Sequence, residues 1–139
     1  MPISRLDHYS IRTENLPATE RFYKDVLGLE VGPRPQFNFP GVWLYQGGAA
    51  VVHVVGIDPN DPSGLKEYLG DKAMGGAPGT GTIDHVAFVG TDVEAMRERF
   101  RSAGVPFRDR HVPSLDLDQV FLEDPNGVTI ELNFPARPA

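Results

Sequence analysis

The chain has no cysteine. Disulfides are therefore excluded, and any metal centre must draw on histidine, carboxylate or amide ligands. Nor does any apolar run approach the length needed to cross a bilayer. Positive charge is in deficit: 13 Lys and Arg stand against 19 Asp and Glu, giving a net charge of −6 and a pI near 5.1. A basic face for phosphate is thus missing, and nucleic acid is excluded as a partner. The opening residues Met1-Pro2-Ile3-Ser4-Arg5 carry no signal-type apolar region, so a cytoplasmic protein is expected. There is no nucleophile elbow or dinucleotide fingerprint, and the Gly-rich 75–81 stretch lacks the Lys-Ser/Thr of a phosphate loop.

What remains is a chain of 139 residues, enough for one domain with a real core, and it repeats itself. Leu6-Asp7-His8-Tyr9-Ser10-Ile11 recurs as Ile83-Asp84-His85-Val86-Ala87-Phe88. Each copy continues into an amphipathic segment that ends at glycine, Leu16 to Gly28 and Val93 to Gly104. Near the far end of each copy a polar residue interrupts an apolar strand: His53 in the first, Glu131 in the second. The offsets 85 − 8 = 77 and 131 − 53 = 78 agree to one residue. Two copies are too few for a stacked array, so two small modules are expected to share one fold.

The pattern within each module predicts β-α-β-β-β. In the first, residues 5–12 read as a strand and Glu14-Asn15 as a helix start, with Pro17 suited to the first turn. Strands follow at Leu29 to Val31, Val42 to Tyr45 and Ala50 to Val55, the last two joined at Gln46-Gly47-Gly48. In the second, a strand over 82–89 leads to Thr91-Asp92 as a cap and a helix over Val93 to Ala103. Strands are expected at Val105 to Phe107, Gln119 to Leu122 and Val128 to Asn133, with Asp124-Pro125-Asn126-Gly127 as a tight turn. The Pro- and Gly-rich residues 57–81 read as a linker with a short helix at Ser63 to Leu69, long enough to suggest a lid. Module one thus spans about 5–56 and module two about 82–134.

A lone histidine in an apolar strand is commonly a core residue held by a hydrogen bond. Four ligand-type residues at repeat-equivalent positions are a different matter. A pseudo-twofold relation brings His8, His53, His85 and Glu131 to a shared centre, and a divalent cation there accounts for a carboxylate in an apolar strand. Imidazole with carboxylate suits Fe, Mn, Ni, Co or Zn. His8, His85 and Glu131 alone make an open two-histidine, one-carboxylate set; a ligating His53 makes four. Either leaves room for a substrate bound through two oxygens.

The paired modules, each opening on Asp-His, and the closing Asp-Pro-Asn-Gly-Val-Thr-Ile-Glu-Leu resemble the vicinal oxygen chelate superfamily over about residues 5–134. That group includes glyoxalase I, methylmalonyl-CoA epimerase, extradiol dioxygenases, fosfomycin-resistance transferases and bleomycin-resistance proteins. The resemblance implies an α+β fold whose βαβββ modules form a curved mixed-sheet cup around the metal. His8, His85 and Glu131 match the ligand positions that its metal enzymes share; His53 falls where glyoxalase I has Glu and the epimerases have Gln. The implied function is metal-dependent lyase, isomerase or dioxygenase chemistry on a small-molecule substrate, with His53 and Glu131 as catalytic groups and a homodimer as the assembly. The alternative is a metal-free antibiotic-sequestering protein. Gln119, His111, Arg34, Arg108, Arg110, Trp43, Tyr45, Phe121 and Tyr68 are secondary candidates, each with an ordinary structural role as its competitor.

Overall fold

A computed structural model of the chain describes residues 5–58, 60, 63, 79 and 83–136. The chain divides into two compact units, Met1–Ala77 and Pro78–Ala139. In the first, β1 (Tyr9–Thr13) is followed by α1 (Leu16–Arg21), which runs into a π-helical turn (Phe22–Val26), then by β2 (Glu30–Gly32), β3 (Gly41–Gln46) and β4 (Ala49–Gly56). In the second, β5 (Val86–Val89) leads to α2 (Val93–Ala103), then β6 (Arg108–Val112), a 3₁₀ turn (Pro113–Leu115), β7 (Leu117–Glu123) and β8 (Thr129–Pro135). The strand orders are β1-β4-β3-β2 and β5-β8-β7-β6, the same topology twice. In each sheet the first strand pairs in parallel with the last, and the other pairs are antiparallel. These are the two βαβββ modules, α+β in class, that the repeat predicts.

Local chemistry accounts for the element ends. The Asn15 side chain accepts from the Ala18 amide and Asp92 accepts from the Ala95 amide, each capping orphan donors at a helix start. Both helices stop at a glycine with positive φ, Gly28 at 80° and Gly104 at 69°, where a side chain is disfavoured. The π-helical turn departs from the regular helix expected up to Gly28. It buries Phe22, Tyr23 and Val26 together against the sheet side of the helix.

Strand alternation then sorts the faces. In the first unit Ile11, Val42, Leu44, Val52 and Val54 face the helical layer, and Leu44 and Val52 are wholly buried. The Thr13 and Thr19 hydroxyls, 3.3 Å apart, tie β1 to α1. In the second unit Val120, Leu122, Ile130, Leu132 and Phe134 are buried, as is Phe100 of α2. Arg97 pins that helix to β6 through Asp109 at 2.8 Å. The opposite face carries His53 in the first unit and Gln119 and Glu131 in the second.

Several expectations shift: the strands expected over 5–12 and 82–89 begin at Tyr9 and Val86, so that His8 and His85 each precede their strand. The strand expected at Val105 to Phe107 begins three residues later, because Phe107 turns inward to meet Phe100 edge-on at 5.6 Å. His111, between the strands expected at Val105 to Phe107 and Gln119 to Leu122, belongs to β6. The helix and lid expected in the linker fall almost wholly outside the described residues.

Candidate functional site

In the first unit His8 sits one residue before β1, and His53 lies in β4 beside Ser10 on one flank and Trp43 on the other. That row brings three rings into a column. Trp43 stacks on His53 at 3.9 Å and 11°, and His53 stacks on His8 at 3.7 Å and 12°. His53 is buried, and its Nε2 lies 3.1 Å from the Ala50 carbonyl oxygen. A carbonyl only accepts, so Nε2 carries the hydrogen and the neutral ring keeps its lone pair on Nδ1. Burial above all, then the neighbouring His8, holds the His53 pKa below the ordinary imidazole value, against the pull of the Ala50 carbonyl and Asp7.

His8 is fixed differently. Its Nδ1 is 2.7 Å from the Asp7 carboxylate. The carboxylate accepts, so Nδ1 donates and Nε2 is left with the lone pair. That hydrogen bond is also the main cause that holds Asp7 below the usual carboxylate range.

The second unit repeats the device. His85 lies one residue before β5 with its Nδ1 2.7 Å from Asp84, which frees Nε2 in the same way. Here Nε2 faces the Glu131 carboxylate of β8 at 3.6 Å, too long for a hydrogen bond. The hydrogen bond to Asp84 raises the His85 pKa, and the Glu131 charge adds to it. Glu131 is itself held: Asn133 Nδ2 donates to its Oε2 at 2.9 Å, and Gln119 Nε2 donates to Asn133 Oδ1 at 2.9 Å.

Each unit therefore presents a ring nitrogen oriented by an adjacent carboxylate, the arrangement that fixes tautomer and direction in metal-ligating histidines. The donor set suits a divalent transition cation: two imidazole nitrogens in the ligating tautomer, and one carboxylate with a lone-pair atom opposite Nε2. Among the described residues no three His, Cys, Asp or Glu side chains gather into one group. What each unit brings is a pair, His8 with His53 and His85 with Glu131.

Other candidates resolve unevenly. Gln119 faces the side of the sheet that carries Glu131, within the chain just described. His111 pairs with Asp118, on the opposite face, and its Nδ1 meets that carboxylate at 3.0 Å. Arg34 is spent structurally, donating to the Phe39 carbonyl and lying over the Phe37 and Phe39 rings. Arg108 covers Phe121 at 4.6 Å. Tyr45 donates to the Pro33 carbonyl. Tyr68 lies outside the described residues.

Four residues were missed by sequence reasoning. Asp7 and Asp84 were in view as a repeated dipeptide, and that repetition was the signal. Asn133 stands two residues beyond Glu131, the spacing that shares a strand face. Arg12 shares the face of Ser10 in β1, and its Nη1 is buried with no hydrogen-bond partner among the described residues; nothing in the sequence marked it.

Comparison with known proteins follows the same lines. A family model described as the Glyoxalase/Bleomycin resistance protein/Dioxygenase superfamily matches residues 5–132. No curated protein matches the chain. Solved structures do. A lactoylglutathione lyase from Agrobacterium tumefaciens aligns with a TM-score of 0.62 at 20% identity, covering 96% of each chain. The fosfomycin resistance protein FosX from Listeria monocytogenes aligns at 0.67 and 17%, covering 96% of this chain and 95% of that one. TnmS3, an antibiotic-binding protein from Streptomyces sp. CB03234, aligns at 0.67 and 21%, covering 98% and 99%. At such identities these likenesses speak for the fold.

Proposed function

Because the chain belongs to the Glyoxalase/Bleomycin resistance protein/Dioxygenase superfamily, we propose that it is a metal-dependent enzyme of that group. Its reaction is proton transfer, of lyase or isomerase type, on a small molecule bearing two adjacent oxygens and an anionic group. His8, His85 and Glu131, the positions that match the ligands shared by the family's metal enzymes, would hold one divalent cation, drawn from Fe, Mn, Ni, Co and Zn. A bound cation of this kind supplies Lewis acidity to the substrate oxygens as negative charge develops on them.

The remaining steps belong to the chain's own side chains. His53 takes the proton at Nδ1, since Nε2 is committed to the Ala50 carbonyl and the depressed pKa keeps the ring neutral near pH 7. Its near-parallel stack on His8 favours this base role over joint ligation, because lone pairs lying in parallel ring planes do not converge on one ion. Trp43 closes the other face of His53 and shields it from water. Arg12, whose buried Nη1 has no hydrogen-bond partner among the described residues, is the group offered to the substrate's anion. The observation that carries the proposal is the orientation of both histidines by their preceding aspartates, with His85 Nε2 set against Glu131.

A metal-free antibiotic-binding protein is the second reading, favoured by the Trp43–His53–His8 column as a surface for a planar ligand. Elemental analysis of untagged protein separates the two. The proposal expects one equivalent of a transition metal in the wild type and its loss in Glu131→Ala. Absence of metal after anaerobic reconstitution would leave the binding protein. Iron together with oxygen uptake on catechols would replace proton transfer by dioxygenase chemistry.

A further inference from the structure

The Glu131 carboxylate is the start of a hydrogen-bonded chain whose polarity is dictated from one end. A carboxylate offers only acceptors. Asn133 must therefore turn its Nδ2 towards Glu131 Oε2, at 2.9 Å. That leaves Oδ1 as the atom facing Gln119, which must present Nε2, again at 2.9 Å. No other assignment of the two amides places a donor against an acceptor at both links. The last atom of the chain, Gln119 Oε1, is buried with no hydrogen-bond partner among the described residues. Buried acceptors without a partner are uncommon and unfavourable. Here the orphan is the consequence of keeping the carboxylate satisfied on one side only.

Register explains why these three residues meet. Gln119 and Asn133 are direct partners across β7 and β8, and Glu131 is two residues from Asn133 on the same face. Oε2 of Glu131 is thereby occupied, and Oε1 is the oxygen set opposite His85 Nε2. Resting on the metal reading above, we infer that Asn133 and Gln119 are positioning residues that hold Glu131 with a single oxygen presented to the cation, and that they act through the polarity of this chain rather than through its bulk.

Polarity and bulk make opposite predictions for isosteric substitutions. Asn133→Asp keeps the shape but offers Glu131 no donor, and sets a second negative charge beside it. Gln119→Glu is isosteric as well, yet it accepts where Asn133 requires a donor, so it draws Nδ2 away from Glu131 without touching that residue. Gln119→Met removes the partner but imposes no acceptor. Calorimetric titration of each metal-free protein with Co²⁺ reads the effect, with urea unfolding as a check that each variant is folded.

On the inference, Asn133→Asp weakens Co²⁺ binding by about 10–100-fold, the range typical of groups that orient a ligand. Gln119→Glu weakens it by about tenfold, and Gln119→Met by clearly less. A merely structural role gives the reverse order, with Gln119→Met the more harmful of the two. Asn133→Asp binding within about twofold of wild type would overturn the inference. If the wild type takes up no Co²⁺, the metal reading itself has failed. Hydrogen exchange of the Asn133 side-chain amide in the metal-free protein then judges the chain: slow exchange that Gln119→Glu makes fast upholds it, and fast exchange in the wild type refutes it.

Discussion

Removing the Asp124 carboxylate should cost the fold more than any other single change in the turn that closes the second sheet. Asp124 lies between β7 and β8 and is only 5% exposed. Its Oδ1 accepts from the backbone amides of Asn126 and Val128, each at 2.8 Å. Its own amide donates to the Val128 carbonyl at 3.0 Å, and its carbonyl accepts from Gly127 at 3.1 Å. In Asp124→Ala both amides lose a charged acceptor. Hydrogen bonds to charged groups contribute about 1.5–3 kcal/mol each, and water reaching a surface turn recovers part of that, leaving a loss of about 2–4 kcal/mol. With a urea m-value of about 1.5 kcal/mol/M, the midpoint falls by about 1.3–2.7 M. Asp124→Asn retains an oxygen acceptor without the charge and should lose roughly half as much. Equilibrium unfolding followed by circular dichroism measures both. A loss below about 0.5 kcal/mol for Asp124→Ala, or equal losses for the two variants, would refute the claim that charged acceptance by this side chain holds the turn.

Two further outcomes follow from the geometry. In the metal-free protein, histidine resonances followed by NMR should show His53 titrating below the ordinary value of 6.5 and His85 above it; the opposite order would contradict the assigned environments. The signs for stability differ accordingly. His53, with its folded pKa depressed, contributes stability that is present above 6.5 and is lost as pH falls through its folded pKa. His85, with its folded pKa raised, contributes below 6.5 and loses that contribution as pH rises through its folded pKa, weakly because the ring is solvent-accessible. The second outcome concerns assembly: β5 is an edge strand that ends in Val89, 62% exposed, and is preceded by Ile83 at 63%. We therefore expect a homodimer by light scattering, and Val89→Lys should shift it towards monomer.

The modules were legible because alternation and helical spacing are local. Val52 and Val54 face the core and His53 faces away by the period of the strand alone. The glycines that end both helices and the Asp-Pro-Asn-Gly turn were legible for the same reason: each answers a backbone need within a few residues. What depends on packing between elements or on pairing between strands was not. The start of β6 is set by Phe107 packing on Phe100, and the side chosen by His111 is set by its register with Asp118. At the site, the four candidate ligands came from repeat equivalence, which needs no coordinates. The atoms that make two of them useful did not, since a tautomer is decided by the partner of the other ring nitrogen. Only the structure shows Asp7 on His8, Asp84 on His85 and the Ala50 carbonyl on His53.

The two sheets share a topology yet have divided the chemistry, and the division can be followed along one row of neighbours. Across the first sheet the row is Ser10, His53, Trp43, Gly32; across the second it is Ala87, Glu131, Phe121, Arg108. The offsets 131 − 53 and 121 − 43 are both 78, so the two rows are equivalent in the repeat. The outermost residue decides what the aromatic can do. At Gly32 there is no side chain, the Tyr45 ring occupies the space a Cβ would need at 2.6 Å, and the Trp43 ring is stacked on His53. At the matching place Arg108 covers Phe121, and the carboxylate next to it is served by Asn133 and Gln119 instead. One row thus buries a neutral imidazole under an aromatic, which lowers its pKa and suits a base. The other keeps a charge in place with amide donors, which suits a ligand. A glycine in one copy and an arginine in the other are enough to tell the two environments apart. Gly32→Arg tests this directly: by crowding the Tyr45 ring and reaching towards Trp43, it should loosen the column and let the His53 pKa rise towards its ordinary value. An unchanged His53 titration would show that Trp43 does not govern its burial.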